Sequence, residues 1–397
     1  DHTIEKLASG RYGIYDDEFS ESMAGFASAR SVEAVNNQVE DFASKMESLA
    51  DLQPKTRSEK SEKLGEIDGS FLADWGVSYT AILQLLYSCY ILAMNEKRSV
   101  LELEEKVFAK AIIEICPELN DDTISKCLVH LSLEKREKYL TPPDGMNWKE
   151  VLPWIYNREL SYLRRPIVKW QMADGSVNLI FGFRSCLTAG MQLTDLLYSG
   201  RLKNGGKRLE KLLGKFESAK GAAFNAEVRS WLKQNTELIV WDHDISMKPK
   251  GSFATSTELG NLGDIDVLAY DSVNNVVYSI ECKNTNTAKN IREMKKEMDD
   301  YLGRGDNPEK DKKKALVLKH LRRHKWLVEN IEMVMKFVGA ESIPIVKSMM
   351  LTSEVIPTSY LRKEETPLSI LNYQELKRKG VKYLDNVKSP RLYLESD

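Results

Sequence analysis

Four ionisable residues interrupt two otherwise apolar segments in the second half of the chain. Asp264 and Asp266 belong to the first segment, and Glu281 and Lys283 belong to the second. Carboxylate oxygens suit Mg²⁺, which proteins usually hold through one or two carboxylates, with water and substrate phosphates in the remaining positions. A lysine beside such an ion can orient or help to deprotonate an attacking water while the metal polarises a phosphoryl oxygen. These residue types therefore predict metal-assisted chemistry on a phosphate group.

The two segments predict an antiparallel β-hairpin. Both are rich in β-branched and aromatic residues, and residues 271–275 separate them. Because side chains alternate faces along a strand, Asp264 and Asp266 share one face of the first strand, as Glu281 and Lys283 do on the second. Only a shift of the strand register by one residue would place these charges on different faces. That shift would also turn the apolar side chains of the strand away from the core. The other face of the first strand carries Ile265, Val267 and Ala269.

The length of the turn decides which charges lie opposite each other. A two-residue turn at Asn274 and Asn275 sets Asp266 opposite Lys283, because asparagine tolerates positive φ. A four-residue loop instead sets Asp266 opposite Glu281. Both registers keep all the charges on one face, and the sequence leaves the choice open.

Asp266 comes first in the chain, and Glu281-Cys282-Lys283 follows after the hairpin. This order resembles the signature of the PD-(D/E)XK nuclease superfamily, which has the restriction-endonuclease-like fold. The resemblance covers residues 215–355 and implies that Asp266 and Glu281 are metal ligands and Lys283 the catalytic lysine. The run Gly-Asp-Ile-Asp is similar to the Mrr-like and resolvase-like branches, in which the last acid is the ligand. That similarity favours Asp266 as the metal ligand and keeps Asp264 as an auxiliary ligand. No proline precedes the aspartate, which is a departure from the signature.

The flanking segments predict the elements that the resemblance requires. Residues 219–235 have apolar side chains at helical spacing, with Glu227 at the edge of the apolar face. In this superfamily the helix before the core strands often adds an acid to the metal site, so Glu227 is a further candidate for catalysis and metal binding, with a solvated helix glutamate as the alternative. Further elements are a strand at 238–241, helices at 288–302 and 321–338, and a strand at 346–352.

The fold class that we expect is α+β and multidomain. A mainly helical N-terminal region precedes an α/β restriction-endonuclease-like core with a mixed central sheet flanked by helices. Ser99 and Glu102 form a capping box that predicts a helix to residue 116, and Asp174-Gly175 predicts the turn of a hairpin over 166–183. The predicted regions are a helical regulatory or assembly region at 1–145, a β-hairpin and helical connector at 146–214, a nuclease-like domain at 215–355 and a C-terminal extension at 356–397.

A basic run lies between the two helices that follow the hairpin. Residues 310–325 contain eight lysines and arginines against one acid. We interpret the run as a rim that contacts nucleic-acid phosphates, with an ordinary solvated charge run as the alternative. His320 and His324, in line with Leu327 and Ile331, are expected on the helix surface. The candidate nucleic-acid-binding residues are Lys312, Lys313, Lys314, Arg322 and Arg323.

Charge is unevenly distributed along the 397 residues. The net charge is −2, which argues against a general nucleic-acid coating protein. Residues 1–70 hold 8 basic and 15 acidic side chains, whereas residues 201–330 hold 25 and 19, a net charge of +6. The nuclease-like part is therefore the basic part, as a DNA partner requires.

The cysteines and the apolar segments indicate in which compartment of the cell we expect the protein. Five cysteines show no metal-ligand spacing, no signal-peptide pattern is visible, and residues 75–94 indicate a buried helix rather than a membrane span. We therefore expect a reducing cytoplasm and no membrane partner. Because the chain begins at Asp1, a fragment or a processed product is also an expectation.

These features lead us to expect a metal-dependent deoxyribonuclease that uses Mg²⁺, with Mn²⁺ as a substitute. The family habit suggests an endonuclease in restriction or antiphage defence, with RNA left open as a substrate. The helical N-terminal region would regulate it, deliver it to a target or assemble it as a homo-oligomer or a subunit of a larger complex. The alternative is a nucleic-acid-binding or assembly subunit with a catalytically silent nuclease fold.

Overall fold

The computed structural model divides the chain into two compact units. Unit 1 joins Asp1–Glu47 to Lys220–Asp397, and unit 2 is Ser48–Ala219. The four functional regions expected from the sequence stay predictions. The structure describes residues 3–6, 9, 12–15, 21–33, 57–155, 157–203, 205–253, 261–286, 288, 290–304, 315–385, 387, 388 and 390.

The first elements of the chain belong to unit 1. Strands β1 (Thr3–Lys6) and β2 (Tyr12–Tyr15) form an antiparallel pair, and helix α1 covers residues 21–33. Glu33 of α1 is buried, accepts a hydrogen bond of 2.6 Å from the Val355 N–H, and pairs with Arg30. The hydrogen bond from Val355 attaches α1 to a residue that lies far away in the sequence.

Unit 2 packs helices against a four-stranded sheet. The boundary between the units falls within α7. In the sheet, β4 pairs parallel to β5, and β6 pairs antiparallel to β5 and β3. The elements are α2 (Arg57–Trp75), α3 (Tyr79–Asn95), β3 (Val100–Glu104), α4 (Glu105–Ile115), α5 (Asp121–Leu131), β4 (Ser132–Glu134), β5 (Ile167–Gln171), β6 (Val177–Gly182), α6 (Phe183–Tyr198) and α7 (Lys207–Asn235).

The remaining elements of unit 1 include a separate antiparallel pair, β8 and β9, and a second, larger sheet of five strands. Its strand order is β13-β12-β11-β10-β7, with antiparallel pairing on one side of β11 and parallel pairing on the other. The elements are β7 (Ile239–Val240), β8 (Ile245–Met247), β9 (Gly263–Ile265), β10 (Val267–Asp271), β11 (Val276–Lys283), α8 (Ile291–Leu302), α9 (Leu316–Glu329), α10 (Ile331–Val338), β12 (Ile345–Thr352), α11 (Thr358–Leu361), β13 (Ser369–Asn372), α12 (Tyr373–Lys379) and α13 (Lys382–Asp385).

Helices cover both faces of the sheet in unit 1. One face packs on α7, α12 and α13, and the other packs on α9 and α10. Strand β11 lies in the middle, and seven of its eight residues are buried. A strand that is buried on both faces is expected to be almost continuously apolar. Glu281 and Lys283 are therefore the charged exceptions within β11.

The observed architecture confirms the expected α+β class, the helical N-terminal region and the mixed central sheet flanked by helices. Two details of the prediction were wrong. Val100–Glu104 is a strand rather than the first turn of a helix, because it pairs with β6 along its whole length. The single helix expected at 321–338 is two helices, α9 and α10, which are separated at Asn330.

Within the described residues, no single helix combines the length and apolar character needed to cross a membrane. The segments Glu62–Trp75 and Tyr79–Asn95 meet that criterion only as a pair bent by 89°.

Candidate active site

The register between β10 and β11 sets two carboxylates opposite each other. Val267 pairs with Ile280 and Asp271 pairs with Val276, so the loop has four residues, and extending this register by one residue places Asp266 opposite Glu281. This is the second of the two registers that the sequence left open. Asn275 takes a positive φ of 53° in the loop, as an asparagine tolerates.

The first strand of the predicted hairpin is interrupted at Asp266. Strand β9 ends at Ile265 and pairs with β8, whereas β10 begins at Val267 and pairs with β11. Ile265 consequently packs in the same core cluster as Leu268, although strict alternation places them on opposite faces. The predicted alternation was therefore wrong at this point. The alternation breaks because the chain changes its pairing partner at Asp266, from β8 to β11.

Arg229 holds this interruption in place. Its guanidinium, on α7, donates to the backbone carbonyl of Asp266 and also pairs with the carboxylate of Asp244. The Asp266 carboxylate accepts a hydrogen bond of 2.8 Å from the Cys282 N–H on β11. These contacts fix both the backbone and the side chain of Asp266 beside the strand that carries Glu281.

Glu281 is buried between two cations. Its Oε1 lies 2.6 Å from Lys283 Nζ, and its Oε2 pairs with Arg323 Nη1. The Glu281 and Arg323 residues are 6% and 7% exposed, so this is an ion pair of the protein interior. Burial acts to raise the pKa of Glu281, but Lys283 and Arg323 outweigh it and hold that pKa below its usual range.

Arg323 reaches Glu281 across a glycine. Its Nε donates a hydrogen bond of 2.9 Å to the Leu262 carbonyl, and the guanidinium passes over Gly263. A Cβ at Gly263 would lie 3.3 Å from Arg323 Nη2, and the backbone there has a φ of +90°, which favours glycine. Gly263 therefore gives the guanidinium room to approach the carboxylate.

The carboxyl group of Asp266 is electrostatically unfavourable in its ionised form. Burial and then the charge of Glu281 raise its pKa to about 6, against the opposing effects of Lys283 and Arg323. At neutral pH two carboxylates therefore lie near each other in a poorly solvated place. A cation between them would relieve this repulsion.

Two buried histidines and a tyrosine lie on the helices next to β11. His320 Nε2 is 3.1 Å from the Ser279 carbonyl oxygen and His324 Nδ1 is 3.0 Å from Ser348 Oγ. Their expected surface location was wrong, because both are almost fully buried, and burial lowers each pKa to about 4.

The buried Tyr301 hydroxyl has no hydrogen-bond partner among the described residues, and burial, then Glu297 and Glu281, raise its pKa.

The structure brings together Asp266, Glu281 and Lys283, but it gives the other candidates different partners. Asp264 pairs with Lys248 at 3.2 Å, and Glu227 is exposed and lies 3.8 Å from Lys377. Within the described part of the chain, no group of three or more His, Cys, Asp or Glu side chains is placed to hold a metal ion. The pair Asp266 and Glu281 still provides the two carboxylates with which proteins commonly hold Mg²⁺.

The expected phosphate-binding rim is only partly described. Lys312, Lys313 and Lys314 lie outside the described residues. Arg322 is exposed on α9, whereas Arg323 is turned into the protein and paired with Glu281. His320 and His324 lie on the same side of α9 as the apolar Leu327. This spacing was the sequence signal that this side of α9 faces the protein interior.

Sequence reasoning missed Arg229 and the pairing of Arg323. Arg323 was noticed, but its place in a basic run favoured a role at the surface. Arg229 occupies an amphipathic helix, and nothing in its spacing indicates a bond to the backbone of Asp266. Both arginines are defined by the tertiary structure.

The model of the Upx-like family of anti-phage proteins matches residues 31–369. The match covers most of the chain, including all of unit 2, most of unit 1 and the candidate site, and the chain belongs to this family of anti-phage proteins. No curated protein and no solved structure matches the chain.

Proposed function

We propose that this anti-phage protein is a divalent-metal-dependent nuclease that hydrolyses phosphodiester bonds in DNA. One observation carries the proposal: Asp266 directly precedes β10 and falls opposite Glu281 of β11 when the register is extended by one residue, and Lys283 Nζ lies 2.6 Å from the Glu281 carboxylate. Two carboxylates and an amine in this arrangement match the resemblance to the PD-(D/E)XK superfamily. Membership of an anti-phage family supports phage nucleic acid as the substrate.

Each residue has a definite role in the proposal. Asp266 and Glu281 would hold Mg²⁺, or Mn²⁺ in its place, which supplies Lewis-acid polarisation of the scissile phosphate. Lys283 orients the attacking water through its amine and takes part in moving the proton. Arg323 holds the second oxygen of Glu281, and Arg229 holds the backbone of Asp266. Both arginines are positioning residues rather than catalytic ones.

The same geometry supports a second candidate, a nucleic-acid-binding or assembly subunit whose site is catalytically silent. Both oxygens of Glu281 already contact cations, Lys283 and Arg323. With Asp266 ionised, the two carboxylates and the two cations balance in charge without a metal. A structural ion-pair network of this kind needs no divalent ion.

A cleavage assay tests the first candidate. The full chain is incubated with plasmid, linear duplex, single-stranded DNA and RNA, with Mg²⁺ or with a chelator. We expect cleavage only with Mg²⁺, and we expect Lys283→Ala to abolish it. Lys248→Ala is the matched control, because Lys248 also pairs with an aspartate of the same unit and should leave cleavage unchanged.

A binding measurement separates the two candidates without relying on activity. Titration calorimetry with Mn²⁺ should show a site that is lost in both Asp266→Asn and Glu281→Gln but kept in Asp264→Asn. If the full chain binds no divalent ion and cuts none of the substrates, the nuclease proposal is wrong and the silent subunit is favoured.

A further inference from the structure

A second group of chemically distinctive residues lies in unit 2, within residues 132–171. Among the described residues of this segment, five large aromatic side chains are between 45% and 63% exposed. Elsewhere in the described residues, only Tyr87 and Tyr198 are aromatic side chains with at least 36% exposure. Exposed aromatic rings indicate an interaction surface where they lie together with other binding groups, which is the case for two of these five, Tyr139 and Trp170. The five are Tyr139, Trp148, Trp154, Tyr162 and Trp170.

Basic residues are interspersed with these rings. Residues 132–171 contain eight lysines and arginines against five acids, a net charge of +3 in a chain whose net charge is −2. Lys135 Nζ lies 5.9 Å from the centre of the Trp170 ring, and the Arg136 guanidinium carbon lies 5.7 Å from the centre of the Tyr139 ring. Cations and rings at these distances form cation–π pairs.

A cavity of about 670 Å³ lies beside β4, the edge strand of the sheet in unit 2. Its walls include Lys135, Arg136, Lys138 and Lys169, together with the carboxylates of Glu134 and Glu137. Arg165 also lines it but is committed to Glu159 and to two backbone carbonyls. Lys135 and Arg136 line the cavity and also pair with Trp170 and Tyr139, so these two rings lie near it.

We propose that this surface, formed by the cavity beside β4 and by Trp170 and Tyr139, binds single-stranded nucleic acid. Unpaired bases stack on exposed aromatic rings, and lysines and arginines in the same groove bind the phosphates. In a duplex the faces of the bases are already stacked, so the rings would remain unused. Lysine is depleted at protein–protein interfaces, which makes a protein partner a poorer fit to Lys135, Lys138 and Lys169.

The proposed surface goes beyond the proposed nuclease function. It lies in unit 2, uses none of Asp266, Glu281 and Lys283, and needs no metal ion. Binding can therefore be measured with a chelator present, so that cleavage plays no part. Loss of binding and loss of cleavage are then independent results.

Fluorescence anisotropy with labelled oligothymidine, oligouridine and a duplex of equal length tests the proposal on the full chain. We expect both single strands to bind more tightly than the duplex. Trp170→Ala should weaken single-strand binding roughly 5- to 100-fold, because stacking of one base contributes that much affinity. Trp170→Phe keeps a ring and should retain most of the affinity, and Tyr87→Ala, which removes an exposed ring outside the segment, should have no effect.

Salt dependence gives a second readout. Replacing Lys135 and Lys138 with alanine should reduce the slope of log affinity against log salt by about 0.7 for each phosphate that the protein no longer neutralises. Circular dichroism establishes that each variant is folded, and Tyr139→Ala replaces Trp170→Ala if the latter does not fold. The proposal is overturned if single strands do not bind, if the folded alanine variant of Trp170 or Tyr139 binds as tightly as the natural chain, or if polyglutamate competes as well as oligothymidine.

Discussion

The guanidinium of Arg323 pairs with the Glu281 carboxylate inside the sheet-and-helix core of unit 1, and both side chains are almost fully buried. Burial of two charges is costly, and the attraction between them, the bond from Arg323 Nε to the Leu262 carbonyl and the contact of Glu281 with Lys283 offset that cost. The candidate site thus depends on an arginine that the chain supplies from α9.

Removal of Arg323 should destabilise the protein strongly. Arg323→Met leaves Glu281 buried with one cation, and we expect a loss of about 3–5 kcal/mol in the free energy of unfolding. Urea unfolding measures it. Arg322→Met is the matched control, because Arg322 is the exposed neighbour and its loss should change stability by less than about 1 kcal/mol. Equal effects of the two substitutions would contradict a buried ion pair.

Removal of Arg229 should loosen the interruption at Asp266. Arg229→Met loses the bond to the Asp266 carbonyl, and we expect a cost of about 1–3 kcal/mol. Lys233→Met, on the same helix, breaks only an exposed pair with Asp242 and should cost less than about 1 kcal/mol. Thermal unfolding compares the two variants, and a milder effect of Arg229→Met than of Lys233→Met would refute this role.

Gly263 should not tolerate a side chain. Gly263→Ala forces alanine into a left-handed backbone conformation and brings its Cβ close to Arg323, at a cost of about 1–3 kcal/mol. Gly221→Ala in α7 has open space around it and should stabilise the protein by about 0.5–1 kcal/mol. Opposite signs for these two substitutions in chemical unfolding are the expected result, and a stabilising Gly263→Ala is the contrary one.

His324 should make the protein less stable in acid. Its pKa is about 4 in the folded chain and near 6.5 when unfolded, so between these values the unfolded chain binds more protons and stability falls as pH falls. From pH 7 to pH 5 the loss due to His324 is about 2 kcal/mol. His324→Asn cannot gain this proton. Urea unfolding at both pH values should therefore show a smaller loss in the variant, and an identical loss would exclude the effect.

The sequence predicted the strands that carry the site better than the contacts that complete it. Alternation along β11 placed Glu281 and Lys283 on one face and Ile280 and Cys282 on the other, and burial of the apolar pair enforces that arrangement. The loop length stayed open, since both turns keep the charges together. Arg323 was seen only as one charge in a basic run, because no local pattern shows that its helix turns that residue towards Glu281.

Sequence order has a consequence for synthesis of the protein. The whole of unit 2 lies between α1 and the remainder of unit 1. Glu33 therefore leaves the ribosome long before Val355 and Asn372, the residues that it contacts. Because domains fold as units during translation, unit 2 can fold while unit 1 is still incomplete. The sheet that carries Glu281 is completed only after translation has proceeded as far as β13, so in the nascent chain the candidate site precedes the last strand of its own sheet.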